Sequence, residues 1–306
     1  MTRTEPRKLL LSRPLRQGDI VGVAAPAGPF NEARFKTGLA RLESLGLKTR
    51  CPGDIFKQDG FLAGTDENRA ETINTLLNDE EVRAIFCARG GYGSMRILDR
   101  INLSLIKAKP RIMIGFSDVT ALLLALHHAT GLVTFHGPVI TSLSQADEET
   151  TSMLKRTLFG QPVFPLALKD IRVIMPGQAE GPLLGGNLTI LIHLLATPVL
   201  PNLDGAILFL EDTGESPYRL DRMLTTLRLS GVLERCSGII FGEFNDCGSS
   251  SEVHGVLERN LAGFHGPVVA DFPVGHGSRN LTLPLGPRAI LDTQARSLDL
   301  TEPYLA

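Results

Sequence analysis

The sequence predicts an α/β protein whose N-terminal half is a doubly wound parallel sheet, and three observations carry that expectation. Short, nearly continuous apolar runs recur at residues 19–26, 82–88 and 111–116, as in strands buried on both faces. Amphipathic helical patterns lie between them. The resulting order of strand, helix, strand, helix is the one that builds a parallel sheet covered by helices.

Each element has a local reason. The run at 19–26 ends in Pro26, and Asn31 is placed to cap the amphipathic stretch 32–45, which Gly46 stops. Thr65 opens a second helical pattern that continues through Leu77. The strand at 82–88 runs into the glycine-rich segment RGGYG at 89–93. The strand at 111–116 runs straight into Ser117 and an apolar helix over 121–128. In open parallel sheets the functional loops lie at the carboxyl ends of the strands, so residues 89–93 and Ser117 are expected to share a site.

From about Gln145 to Gly181 the helix-like charged residues give way to Pro162, Pro165, Pro176 and Pro182. This stretch reads as the connection between two domains, residues 1–165 and residues 166–306. Beyond it a helix is expected at 188–196, and a strand at 206–210 that ends in Glu211 and Asp212. Ser216 and Pro217 start a helix that reaches Leu229, and Gly231 follows it. Short strands are expected at 238–242, 267–270, 281–284 and 289–291, so the second half is richer in strands and turns than the first.

The bulk properties narrow the function classes. A chain of 306 residues can bury two sizeable cores. With 31 basic against 33 acidic side chains and no dense Lys/Arg run, nothing electrostatic points to nucleic acid. No apolar run is long enough to span a bilayer, and the stretch at 9–11 is too short for a secretory signal. Cys51, Cys87, Cys236 and Cys247 are scattered without CxxC spacing, which suits a reducing compartment; the cytoplasm is the expected location.

Chemistry is best sought at Ser117. A serine between a strand and a helix is presented outward, beside backbone N–H groups free to receive a developing oxyanion. The second glycine of a GxSxG elbow is absent, since Val119 occupies its place. The competing reading is that Ser117 caps the helix, with Asp118 favouring its positive end. Among seven histidines, His276 stands out because glycines flank it in a loop after an apolar strand. His127 and His128 lie too deep in their helix, and His193 sits in an apolar helical pattern that suggests packed core. His136, at a strand end, is a reasonable wall of the same cleft. The orienting acid is Glu211, at the end of a buried strand, with Asp212 and Glu215 as competitors. A structural salt bridge from Glu211 to Arg219 or Arg222 is equally open.

Metal and phosphate chemistry have weak support. No HxH, HxxxH or HExxH spacing occurs, and RGGYG lacks the P-loop lysine and full GxGxxG spacing. No metal and no cofactor are expected. The glycines at 90, 91 and 93 suit close backbone approach to a substrate or an oxyanion.

Taken together, the motifs GDIVGVAAP at 18–26, RGGYG at 89–93, GFSD at 115–118, HGP at 136–138, GGNL at 185–188, LED at 210–212 and GH at 275–276 resemble the LD-carboxypeptidases, or muramoyltetrapeptide carboxypeptidases. The resemblance spans nearly the whole chain. It implies an N-terminal sheet like that of flavodoxin or class I amidotransferases, a C-terminal α+β domain of barrel-like character, and a homodimer. It implies a nucleophile at Ser117, an acid at Glu211, a base at His276, and oxyanion donors at the backbone N–H groups of Gly91 and Asp118. The implied activity is removal of the terminal D-alanine from muropeptide tetrapeptides in cell-wall recycling. Arg89, and with it Tyr92, is the candidate for substrate binding, Arg89 because a guanidinium suits a terminal carboxylate. Two other readings belong to the same resemblance. One is a microcin-type self-immunity peptidase that cuts a peptidyl-nucleotide amide; such relatives stack the base on a tryptophan, and this chain has 0 Trp. The other is a catalytically silent ligand-binding protein.

Overall fold

The structure, a computed structural model, describes residues 8–306. Strands β1 (Ile20–Ala24), β2 (Lys48–Arg50), β3 (Val82–Cys87), β4 (Ile112–Gly115) and β5 (Thr134–His136) run parallel in the spatial order β5-β4-β3-β1-β2. Strand order reverses after β2, which is how a doubly wound sheet opens a crevice at its carboxyl edge. β4 is buried along its whole length, as its unbroken apolar sequence requires. Asn31 and Thr65 cap the helices Glu32–Ser44 and Asp66–Asn78 by accepting the backbone N–H groups of Arg34 and Asn68.

The second sheet comprises β6 (Leu166–Ala167), β7 (Arg172–Met175), β8 (Gln178–Asn187), β9 (Ile207–Thr213), β10 (Gly238–Asn245), β11 (Val268–Ala270), β13 (Arg288–Asp292) and β14 (Ser297–Leu300). It is a curled, mixed sheet in the order β6-β14-β13-β8-β9-β10-β11-β7. Its curl turns on β8, which pairs antiparallel with β13 over its first half and parallel with β9 over its second. β12 (Leu283–Leu285) leaves this sheet and adds antiparallel to β5 of the first, with Leu283 opposite His136. Chain order and sheet membership therefore part company near the C-terminus.

Two features lie outside what the pattern foresees. The stretch from 145 to 181 is not a bare connection: it holds the helix Glu148–Leu158, β6, β7 and the start of β8. β8 itself escapes a hydrophobic-pattern reading because it is built from glycines and a proline. At Gly186, with φ at 139°, a Cβ would come 2.6 Å from both Cγ2 and Oγ1 of Thr120, so only a glycine lets β8 reach the helix Thr120–Thr130. That helix is buried from Thr120 through Leu126, and its leucines share one hydrophobic cluster with Leu183, Leu188, Phe209 and Ile240 of the second half. The helix following Ser117 is thus the wedge on which the two sheets meet. Among the described residues no helix is long and apolar enough to cross a membrane.

Candidate active site

Ser117 follows β4 directly and has φ of +63°. A left-handed backbone at a non-glycine residue costs on the order of 1–3 kcal/mol and persists only where its surroundings enforce it. The capping reading does not hold, because Phe116 caps the short 3-10 turn Ser117–Val119 and Val119 caps the helix after it. Asp118 has a different task from favouring that helix. Buried to 3% exposure, it accepts the backbone N–H of Ser94 through Oδ2 at 2.8 Å, while Ser94 Oγ donates to its carbonyl at 2.5 Å. The end of the glycine-rich loop is thereby locked to the serine turn.

The rest of that loop is held as firmly. Fully buried Arg69 donates from Nη1 to the carbonyl oxygens of Gly93, at 2.8 Å, and Pro26. Gly90 packs so closely on the serine that a Cβ there would lie 2.7 Å from Ser117 Cβ, 2.9 Å from its Oγ and 3.4 Å from the Asp118 nitrogen. The Gly90 carbonyl accepts from Gly28 N–H at 3.0 Å, and in a trans peptide the Gly91 N–H then points the opposite way. Among the described residues, the Gly91 and Asp118 amides donate to no backbone acceptor.

His276 comes from the other half. Its Nδ1 lies 2.7 Å from Oε2 of Glu211, which is fully buried inside β9 and not beyond its end. With Nδ1 donating to that carboxylate oxygen, Nε2 is the unprotonated nitrogen of the neutral imidazole. Burial pulls the imidazole pKa down, but the hydrogen bond to Glu211, its charge and that of Asp212 raise it above the ordinary value overall. The competing acids are occupied elsewhere. Asp212 accepts from Asn187 Nδ2, Thr189 N, Thr189 Oγ1 and Thr213 N, all within 3.0 Å. Burial pushes its carboxyl above the ordinary range against those hydrogen bonds. Glu215 pairs with Arg219 at 3.4 Å, so Arg219 is no partner of Glu211.

Ser117 and His276 line one cavity of about 680 Å³ between the two sheets, without a hydrogen bond between them. Such contacts commonly tighten only once substrate is bound. Arg34 and Arg89 also line it, and among the described residues its wall includes no Asp or Glu. Arg89 donates to the Pro29 carbonyl, and Arg34 to Gln145 Oε1. Tyr92 faces outward at 51% exposure, its ring 5.5 Å from that of Phe61, and is not part of the cavity wall. No group of three or more His, Cys, Asp or Glu side chains among the described residues is arranged to hold a metal ion.

Two histidine expectations change. His136 is fully buried behind Phe116 and does not wall the cavity. His193 is exposed, its Nδ1 bonded to the Thr189 carbonyl at 2.7 Å, and is not core. Sequence reasoning passed over Arg34, Arg69, Thr150 and Asn280. A charged residue at a buried position of an amphipathic helix, as at Arg69, is a signal that could have been used.

Comparison with known proteins places the chain in a family. Residues 21–137 match the LD-carboxypeptidase N-terminal domain and residues 180–291 the LD-carboxypeptidase C-terminal domain. A probable murein peptide carboxypeptidase of Bacillus subtilis is 37% identical over 292 residues, covering 92% of each chain. The wild-type microcin C7 self-immunity protein superposes with a TM-score of 0.90 at 29% identity, over 97% of this chain and 100% of that one. A muramoyltetrapeptide carboxypeptidase from Oxalobacter formigenes superposes with a TM-score of 0.80 at 28% identity, over 94% of this chain and 100% of that one. With both of its halves matched and its identity to the Bacillus protein sustained along the sequence, the chain belongs to the LD-carboxypeptidase family.

Proposed function

We propose that the protein is a serine-type LD-carboxypeptidase that releases the terminal D-alanine of muropeptide tetrapeptides, with Ser117 as nucleophile, His276 as base and Glu211 as its orienting acid. The observation that carries this reading is a serine held at positive φ on the same cavity as an imidazole whose Nδ1 is fixed by a buried carboxylate. Relatives named for murein peptide and muramoyltetrapeptide substrates support the substrate class. The microcin-immunity protein shares the fold, and a shared fold does not choose between substrates.

In the mechanism, His276 Nε2 removes the Ser117 proton as Oγ attacks the carbonyl carbon of the peptide bond. Glu211 holds the imidazolium that forms. The Gly91 and Asp118 amides receive the oxyanion, each well-placed donor contributing on the order of 3 kcal/mol. His276 then protonates the leaving amine, D-alanine departs, and water attacks the acyl-serine with the same imidazole as base. A cavity wall with two arginines and no acid suits a peptide that ends in a carboxylate, and Arg89 is our candidate to receive it.

The test is incubation with purified tetrapeptides bearing diaminopimelate or lysine at the third position, with EDTA present, following D-alanine by mass spectrometry. Release from either peptide is the expected result. No release from both, alongside turnover of a peptidyl-nucleotide amide, would replace this reading with the microcin-type one.

A further inference from the structure

His136 is a fully buried ionisable group that the mechanism above does not use. It sits on β5 opposite Gly115 of β4, two residues before the nucleophile. Its Nε2 lies 3.1 Å from Oδ1 of Asn280, and the same Oδ1 accepts the backbone N–H of Gly275 at 3.1 Å. A backbone N–H can only donate, so the Asn280 atom at this point is the oxygen and His136 presents a proton at Nε2. Asn280 also donates its own backbone N–H to Thr150 Oγ1 at 3.0 Å, and Thr150 lies in the first turn of the helix Glu148–Leu158. The loop from Gly275 to Asn280, which carries His276, is therefore fastened to the first sheet and to that helix through buried hydrogen bonds.

Other contacts of the imidazole do not provide this tie. Glu211 belongs to the same half as His276 and sets the direction of the ring without relating it to Ser117. The Phe116 ring, 4.8 Å from His276 and 5.8 Å from His136, restrains by contact alone and has no directional bond to offer. Burial drives the His136 pKa down to about 3, so it stays neutral and cannot itself serve as the base.

We propose that His136 and Asn280 form a positioning pair that sets the catalytic imidazole against the Ser117 hydroxyl across the junction of the two sheets. The inference rests on the triad proposed above. A misplacement near 1 Å can cost about 100-fold in rate, and a tie made directly beside the nucleophile strand limits such drift.

His136→Leu tests this, because it removes the donor at similar volume from a residue that does not line the cavity. We expect kcat to fall about 100-fold with KM within about twofold of wild type, and the rate of Ser117 labelling by a fluorophosphonate to fall with it. His136→Gln keeps an N–H at comparable reach and should recover most of both rates. Asn280→Leu should repeat the loss, and the double variant should be no worse than either single one. A folded His136→Leu protein with wild-type kcat and labelling rate overturns the proposal, as does a loss that falls on KM alone. Should His136→Leu not fold, Asn280→Leu is read by kcat and labelling rate alone, since Asn280 also lines the cavity. If the wild type releases no D-alanine, the functional reading fails, and the labelling rates still judge the pair.

Discussion

Ser117 is positioned by neighbours in sequence, with β4 on one side and a buried helix on the other, whereas Glu211 and His276 stand 65 positions apart and meet only when the second sheet curls. The turn at Ser117 is strained and closely packed; His276 sits in a glycine-flanked loop whose place depends on hydrogen bonds to distant residues. A nucleophile needs one exact presentation, which a strand-to-helix junction can supply locally. A base must be right relative to two partners at once, and for His276, the proposed base, that takes contacts from both sheets.

The comparison breaks most sharply at Ser117. Ser117→Ala should abolish D-alanine release, a loss on the order of a millionfold in kcat, and leave thermal unfolding near that of wild type. Undiminished release would mean that the strained turn serves something other than catalysis.

Glu211→Gln tests the assembled side. It should lower kcat about 10⁴-fold, since an amide no longer fixes the tautomer. The pH profile sharpens the result. Because the folded pKa of His276 is raised above 6.5, the neutral base accumulates only above that value, and the acid limb of kcat/KM should lie higher than for a free histidine. In Glu211→Gln the hydrogen bond and charge that raise it are gone while burial remains, so the limb should move to lower pH. Stability follows the same sign. The contribution of the Glu211–His276 pair is fully present below the unfolded pKa near 6.5 and is lost as pH rises through the higher folded value, which urea unfolding across that window measures. A limb that stays in place on substitution would remove Glu211 from its role.

The smallest expected effect returns to the local side. Gly90→Ala places a methyl group against Ser117 Cβ and Oγ and should cost about 100-fold in kcat, with stability lowered by about 1–3 kcal/mol. An alanine variant with wild-type kcat would show that the loop yields more readily than its packing implies.

How much of this was legible follows from the range of the forces involved. The strand at β4, the serine after it and the caps Asn31 and Thr65 could be read because pattern, cap and turn act within a few residues. Glu211 was visible as an acid on an apolar strand, but the choice among it, Asp212 and Glu215 was not. That choice depends on Thr189 and Asn187 occupying Asp212, and on Arg219 occupying Glu215. β8 was missed because its glycines serve close approach to β9 and Thr120, and such a requirement leaves no hydrophobic period. Asn280 and Thr150 carry no pattern at all; they acquire meaning from each other across 130 positions.

The sequence by itself determined the parallel sheet of the first half and the exposure of a serine at the end of one of its strands, because both arise from short-range apolar periodicity and backbone stereochemistry. Only the tertiary structure decided which carboxylate holds the imidazole, which face of the second half meets the serine, and that β12 crosses back to close the first sheet. Those outcomes depend on which buried polar groups find partners once the chain is compact, and local sequence does not encode a partner far along the chain.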